Sequence, residues 1–96
     1  MSYRLTDEAD EDMVDIFVSG EAVFGTRQAE KYFLELHAKF RMIAANPMIA
    51  RERLEVSPSV RAHPYKSHII IYRIEDDGVA ILGIRHAHED WMNDTA

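Results

Sequence analysis

Ninety-six residues with a mass of 11.1 kDa suffice for one compact domain, because two halves of this length would each be too small to bury a core. Hydrophobic residues make up 47% of the sequence and charged residues 29%, which is typical of a globular protein and excludes a disordered or fibrous chain. The longest apolar run, Ile69 to Tyr72, is far shorter than the roughly 20 residues of a membrane span, so we expect no membrane association. The absence of cysteine excludes disulfides and thiolate sites, and together with the acidic N-terminus it predicts a cytoplasmic protein without a secretory signal.

The formal net charge of −6 is unevenly distributed along the chain. Residues 1–40 hold four basic and nine acidic side chains, residues 41–73 hold six basic and two acidic ones, and residues 74–96 hold one basic and six acidic ones. Nucleic-acid binders usually present a dominant basic surface, because phosphate contacts supply most of their affinity. The basic middle segment between acidic ends therefore argues against direct nucleic-acid binding and favours one anionic segment of a protein partner.

Two helices are predicted in the first half of the chain. Apolar residues at helical spacing indicate a helix over residues 7–23, with Thr6 as its N-cap and Gly25 as its C-cap. The clearest periodicity in the sequence predicts a second helix over residues 27–45, which Thr26 can cap and an Asn-Pro pair ends. Because about two residues separate them, the helices should form an antiparallel hairpin.

The remaining segments have the composition of strands. Apolar and polar residues alternate, or β-branched residues run together, over residues 3–5, 53–56, 60–63, 67–75 and 79–86. Asp77-Gly78 between the last two segments is a strong signal for a two-residue hairpin loop. The order of elements predicts a single α+β domain over residues 1–96, with an N-terminal strand and a helical hairpin packed on one face of a C-terminal antiparallel sheet.

The predicted hairpin loop also assigns side chains to the two faces of the sheet. It pairs Ile74 with Ile81 and Ile70 with Arg85, which places His68, Tyr72 and Arg85 on the same face. Both faces are apolar near the middle, so both should be covered. We expect the helices to cover one face and a partner to cover the face that carries His68.

Few residues form a pattern that predicts catalysis. Arg61, His68, Tyr72 and Arg85 are either a cluster able to hold a carboxylate or phosphate, or ordinary polar positions of a half-exposed sheet. His86 and His88 alternate along a strand, where they point to opposite faces, and no third ligand has convincing spacing for a metal. No glycine-rich phosphate loop and no nucleophile elbow is present, so we expect no metal, no cofactor and no catalytic residues. The pair Trp91-Met92 either closes the core or anchors a partner.

Several segments in fixed order resemble one known family. They are YRLTDEADED, FGTRQAEKYFLEL, IAANP, VRAHPYKSHIIIYRIEDDGVAILGIRH and HEDW. In this order and spacing the chain resembles the ParE branch of the ParE/RelE superfamily, the toxic halves of bacterial type II toxin–antitoxin pairs. The resemblance covers nearly the whole chain and implies a fold of one strand, two helices and further strands.

The branch of the superfamily decides which activity the resemblance implies. RelE-like members are strongly basic, ribosome-dependent ribonucleases with a late catalytic tyrosine or histidine, whereas ParE-like members poison DNA gyrase and have no known hydrolytic centre. The negative charge and the absence of a tyrosine after Tyr72 favour a gyrase inhibitor that is not an enzyme. His86 matches the histidine common at the end of the last strand in ParE-like toxins. The arginine usually found three positions earlier is Gly83 here, and Arg85 stands beside the histidine instead.

The resemblance also implies a partner, a ParD-like antitoxin that forms a hetero-oligomer with the toxin. We expect the antitoxin to contact Arg53, Arg61, His68, Tyr72 and Arg85, and the gyrase target to contact His86, Trp91 and Met92. Two alternatives remain: a RelE-type messenger-RNA endonuclease that uses His68, Arg61, Arg85 and His86, and a non-toxic remnant that still binds its antitoxin.

Overall fold

The computed structural model describes residues 2–88 and 91–92, and this part of the chain forms two helices and one mixed sheet. The elements are β1 (Ser2–Leu5), α1 (Asp7–Phe24), α2 (Thr26–Ala45), β2 (Glu52–Arg53), β3 (Val60–Tyr65), β4 (His68–Glu75) and β5 (Gly78–His86). The strand order is β1-β5-β4-β3-β2, in which β1 runs parallel to β5 and the other pairs are antiparallel. The predicted α+β fold is confirmed. Neither described helix combines the length and hydrophobicity that a bilayer crossing requires.

The boundaries of the helical hairpin follow from local chemistry. The Thr6 hydroxyl accepts a hydrogen bond from the Ala9 amide at 3.2 Å, which is the predicted N-cap of α1. Gly25 ends α1 with a φ of +89°, a conformation that glycine adopts without a steric penalty. The prediction that Thr26 caps α2 is wrong, because Gly25 occupies the N-cap position and the Thr26 hydroxyl donates to the carboxylate of Glu21.

The strand predicted over residues 53–56 is shorter in the structure. β2 comprises Glu52 and Arg53, which pair with Arg61 and Val60 of β3. The chain turns immediately afterwards, so the alternation of apolar and polar residues in this segment does not reflect a strand. Its residue Leu54 is 75% exposed.

The turn between β4 and β5 lies one residue earlier than the sequence predicts. Glu75 pairs with Gly78, so Asp76 and Asp77 form the loop and Ile74 pairs with Val79 rather than with Ile81. Gly78 is the first residue of β5, and a Cβ there would stand 2.2 Å from the carbonyl oxygen of Ser2 in β1. The glycine that indicates a turn is thus required by the close approach of a distant strand.

A β-bulge at Leu82 then changes the register of the hairpin. Tyr72 pairs with Ile81 and Ile71 pairs with Gly83, which leaves Leu82 without an opposite residue. Beyond the bulge His68 pairs with His86, and Arg85 pairs with Ile69 instead of Ile70. The prediction that Arg85 shares a face with His68 is therefore wrong.

The helices cover the face that the sequence analysis assigned to a partner. The helix-side cluster comprises Ala9, Met13, Leu36, Phe40, Ile43, Ala44, Ala50, Ile70, Tyr72, Val79, Ile81 and Ile84. The loop-side cluster, on the opposite face, comprises Val56, Val60, Ala62, Ile71 and Trp91. Because both faces of the hairpin are apolar, the sequence pattern does not determine which of them the helices cover.

Candidate functional site

Two of the predicted antitoxin contacts serve mainly to hold the segment between α2 and β2. Tyr72 has no exposed surface, and its hydroxyl donates to the carbonyl of Pro47 at 2.7 Å and accepts from the Ala50 amide at 3.4 Å. Burial raises the pKa of this phenol. Arg61, half-buried on β3, donates to the Ala50 carbonyl at 2.6 Å. Tyr72 is therefore a core residue rather than a surface contact, because the helix-side face is closed by the protein itself.

Arg53 remains at the surface on the short edge strand β2. Its side chain is 32% exposed and lies 3.8 Å from the carboxylate of Glu55. Its Nε is buried without a hydrogen-bond acceptor among residues 2–88 and 91–92. Only the exposed part of this guanidinium group can be reached by an approaching carboxylate.

The structure brings His68 and His86 together at the other end of the hairpin. Their ring centroids are 4.8 Å apart, as their pairing across the strands requires. His68 is 7% exposed, and its Nδ1 lies 2.6 Å from the hydroxyl of Tyr32 on α2. Burial raises the pKa of Tyr32, which keeps the phenol protonated. Tyr32 was not among the predicted site residues; its one signal in the sequence is a polar aromatic side chain three positions after Ala29, at the border of the apolar stripe of α2.

Two acidic residues of α1 hold the last residues of β5. The carboxylate of Asp12 accepts a hydrogen bond from the Ile84 amide at 3.0 Å, at the edge of the sheet that β1 does not cover. Burial raises the pKa of Asp12, more than the nearby Arg85 lowers it. The guanidinium of Arg85 lies 3.5 Å from the carboxylate of Glu8. Asp12 was not among the predicted site residues.

The two histidines, Tyr32, Asp12 and Arg85 line one cavity of about 460 Å³, which lies between the helical hairpin, the start of β4 and the end of β5. Its walls comprise Asp12, Asp15, Ile16, Ser19, Gly20, Val23, Phe24, Gln28, Ala29, Tyr32, Lys66, Ser67, His68, Ile84, Arg85 and His86. A volume of this size is within the range of roughly 300–1,000 Å³ for small-ligand and side-chain pockets. The cavity contains three predicted site residues, His68, Arg85 and His86, whereas Arg53, Arg61 and Tyr72 do not line it.

The geometry does not form a metal site within the described residues. No group of three or more ligating side chains comes together there. His88 is exposed, and the two acidic residues that follow it, Glu89 and Asp90, lie outside the described residues together with part of the HEDW segment.

Sequence and structure comparisons assign the chain to a family. The family model described as "ParE toxin of type II toxin-antitoxin system, parDE" matches residues 3–91, a range that includes both helices and most of the sheet. The chain belongs to the ParE toxin family. It is 33% identical to Toxin ParE1 of Caulobacter vibrioides over 87 residues, which cover 91% of this chain and 88% of the relative. It is 30% identical to Toxin ParE1 of Mycobacterium tuberculosis over 89 residues, which cover 92% and 91%.

A solved structure supports the fold of this ParE-family chain. The chromosomal ParDE toxin–antitoxin system from P. aeruginosa contains a chain that superposes with a TM-score of 0.77 at 19% sequence identity. The superposition covers 90% of this chain and 95% of the other. At this identity the likeness establishes the shared fold alone.

The apolar pair Trp91-Met92, at the end of the ParE match, differs in burial. Trp91 is 5% exposed and belongs to the loop-side cluster. Of its two predicted roles, closing the core or anchoring a partner, this burial fits the first. Met92 is half-buried and packs beside it. Of the three predicted target contacts, His86 is the exposed one.

Proposed function

We propose that this protein is the toxin of a type II toxin–antitoxin pair that inhibits DNA gyrase by binding, in the cytoplasm, without a catalytic centre of its own. The observation that carries the proposal is the family match over residues 3–91, together with relatives named Toxin ParE1. Gyrase as the target is what the ParE resemblance implies.

The charge of the chain supports a protein target rather than RNA. A net charge of −6 opposes contact with phosphate-rich ribosomal RNA, because each phosphate contact needs a compensating cation. Several of the cations are already paired within the protein, such as Arg4 with Glu75 and Lys66 with Glu35. Docking onto a protein surface requires no such excess of positive charge.

A gyrase supercoiling and cleavage assay tests the proposal directly. Purified protein should block supercoiling and accumulate cleaved DNA, and His86→Ala should weaken this effect because His86 is the exposed predicted target contact. His88→Ala is the matched control, since it removes an exposed histidine two residues further along. Normal supercoiling at saturating protein would contradict the proposal.

The second part of the proposal is neutralisation by a ParD-like antitoxin in a hetero-oligomer. An amphipathic antitoxin helix would lie on the helical hairpin, and an acidic, apolar segment would meet the sheet near Arg53 and Arg61. The basic charge of residues 41–73 and the partly exposed guanidinium of Arg53 support the second contact. The family model is that of parDE toxins and the similar structure is a ParDE system, and both support a ParD-like partner.

Charge reversal at the edge strand tests the sheet contact. Arg53→Glu should weaken the complex with the antitoxin encoded beside the toxin gene by about tenfold or more, the usual cost of opposing like charges at an interface. Arg4→Glu makes the same change at an exposed position of β1, at the opposite edge of the sheet, and serves as the control. Equal affinity of the two variants, measured by calorimetry, would remove the sheet contact from the proposal.

One observation favours the alternative of messenger-RNA cleavage on the ribosome. His68 and His86 lie side by side, as a general acid and base would, with Arg85 beside them in the same cavity. Arg61, the fourth residue of that alternative, instead binds the Ala50 carbonyl and does not line the cavity. Translating ribosomes separate the two functions, because cut messenger RNA that disappears with His86→Ala would establish cleavage. Unaffected growth on expression without antitoxin would instead identify a non-toxic remnant.

A further inference from the structure

The outer face of the helical hairpin, the side remote from the sheet, carries exposed apolar side chains. Val14 and Val18 on α1 are 60% and 57% exposed, and Leu34 on α2 is 66% exposed. At about 100° per residue, Val18 lies opposite Ala9, a buried residue of the helix-side cluster. Leu34 lies roughly 160° around α2 from the buried Leu36. Both helices therefore present apolar groups to solvent on the outer face.

An aromatic contact joins the apolar groups of the two helices into one patch. The rings of Phe17 on α1 and Phe33 on α2 meet edge to face at a centroid distance of 6.2 Å, and both side chains are half-buried. Val18 follows Phe17 in the sequence and Leu34 follows Phe33, so each exposed residue stands one helical step outward from this contact. An apolar patch that spans two helices is typical of a surface that another chain covers.

The two helices that share this patch have opposite charge. α1 contains seven acidic residues and no basic one, whereas α2 contains four basic residues and two acidic ones. Asp10 and Glu11 are exposed on α1, and Arg27, Lys31 and Arg41 are exposed on α2. None of these five groups forms an ion pair within the part of the chain that the structure describes. The hairpin is therefore complementary in charge to a second copy of itself.

The contact between the helices sets which charges lie at the same height. Phe17 lies beside Phe33, and the antiparallel register continued from this pair brings Asp10 level with Arg41. Both charges also act on His37: burial lowers its pKa, Arg41 lowers it further, and Asp10 raises it. One acidic and one basic group thus lie together near one end of the hairpin.

We propose that two copies of this protein associate through the outer faces of their helical hairpins. A two-fold axis parallel to the helices lays α1 of each copy over α2 of the other, which forms a four-helix bundle with neighbouring helices antiparallel. Val14, Val18 and Leu34 of both copies then fill the centre. Asp10 of each copy meets Arg41 of the other. An axis perpendicular to the helices would instead lay α1 on α1 and oppose like charges, which disfavours it.

The size of the outer face predicts a weak dimer. α1 and α2 have 18 and 20 residues, which makes them about 27–30 Å long. Two packed helices about 20 Å wide bury on the order of 500–600 Å² per copy, below the roughly 800 Å² of a standard stable complex. The dimer should therefore form at micromolar or higher concentration and dissociate on dilution. This association goes beyond the proposed function, because it requires neither an antitoxin nor gyrase.

Sedimentation velocity of the protein without antitoxin, whose helix is expected on the same hairpin, tests the apolar part of the contact. The sedimentation coefficient should rise with concentration, and Leu34→Asp should weaken the dimer by about tenfold or more, because it places a charge in the apolar centre. Leu54→Asp is the matched control, since Leu54 is 75% exposed in the turn after β2, at the edge of the sheet. A protein that stays monomeric at near-millimolar concentration, or equal dimerisation of the two variants, would overturn the proposal.

A charge exchange tests the pairing of α1 with α2. Asp10→Arg and Arg41→Asp should each weaken the dimer by about four- to twentyfold, because an exposed ion pair contributes about two- to fivefold and each pair occurs twice. Mixed together, the two variants should associate more tightly than either does alone, since one copy then carries two basic groups and the other two acidic ones. An interaction confined to one hairpin could not produce this result. A mixture that associates no more tightly than the separate variants would overturn the proposed arrangement.

Discussion

The two faces of the sheet receive alternate residues of the same strands, but they are covered by different kinds of structure. The helix-side cluster lies under α1 and α2, whose caps and periodicity fix their positions independently of the sheet. The loop-side cluster is closed by Val56, from the turn after β2, and by Trp91. The difference teaches that burial alone does not measure what a residue contributes to stability. A cavity beneath two long helices cannot collapse as readily as one beneath a loop.

The largest effect is expected in the middle of the helix-side cluster. Phe40 is fully buried and contacts the ring of Tyr3 at a centroid distance of 5.6 Å. Phe40→Ala should lower the free energy of unfolding by about 3–5 kcal/mol, because it leaves a large cavity between rigid elements. Urea denaturation followed by circular dichroism measures this loss. A loss below about 1 kcal/mol would show that this side of the sheet can also collapse around a cavity.

A matched pair of neighbours compares the two faces directly. Ile70 is fully buried on the helix side and Ile71 is 2% exposed on the loop side. A buried Ile→Ala substitution usually lowers the free energy of unfolding by about 2–5 kcal/mol. We expect the loss for Ile70→Ala to fall in the upper half of this range and the loss for Ile71→Ala in the lower half. The same denaturation experiment on both variants measures the difference. Equal losses would contradict the distinction between rigid and loop cover.

A smaller effect is expected where the helix-side face holds the loop after α2. Tyr72→Phe removes the hydroxyl that bonds Pro47 and Ala50 and should cost about 1–3 kcal/mol, because a buried carbonyl and amide lose a partner. Hydrogen exchange of the Ala50 amide should accelerate in the variant. An unchanged exchange rate would show that the hydrogen bond from Arg61 to the Ala50 carbonyl is enough to hold this loop in place without the Tyr72 hydroxyl.

The smallest effect is a pH dependence that originates on the helix side. His37 on α2 lies 2.8 Å from the hydroxyl of Tyr3, and burial lowers its pKa, with Arg41 acting in the same direction. The unfolded chain therefore binds more protons than the folded protein below the ordinary histidine pKa of about 6.5, and stability should fall as the pH decreases through that value. His37→Gln should reduce this slope between pH 7.5 and 5.5 in thermal unfolding. The residual slope belongs in part to His63, whose pKa burial also lowers.

Much of the fold could be predicted from the sequence, because its signals are local. The hydroxyl of Thr6 marks the start of α1 by its hydrogen bond, and Gly25, which has no Cβ, marks the end of α1 by its positive φ. The apolar spacing of α2 needs no knowledge of what it packs against. The β-branched composition of β4 and β5 likewise predicts strands within about one residue of the observed bounds.

The candidate site could be predicted only in part, because it depends on register. His68 and His86 were both singled out, but the predicted register placed them on opposite faces. The bulge at Leu82 brings them together, and no local pattern indicates it. Tyr32, which contacts His68, lies on α2, 36 residues earlier in the sequence. Periodicity within one element does not predict contacts between residues so far apart in the chain.

The sequence by itself determined the class of fold, the two helices, the main strands and the membership of a toxin family, because caps, periodicity and motif order are properties of neighbouring residues. The tertiary structure decided which face the helices cover, where the hairpin turns and which groups share the cavity. These features depend on the close packing of β1 against Gly78 and on the β-bulge in β5. Contacts between distant segments set them, and such contacts exist only once the chain has folded.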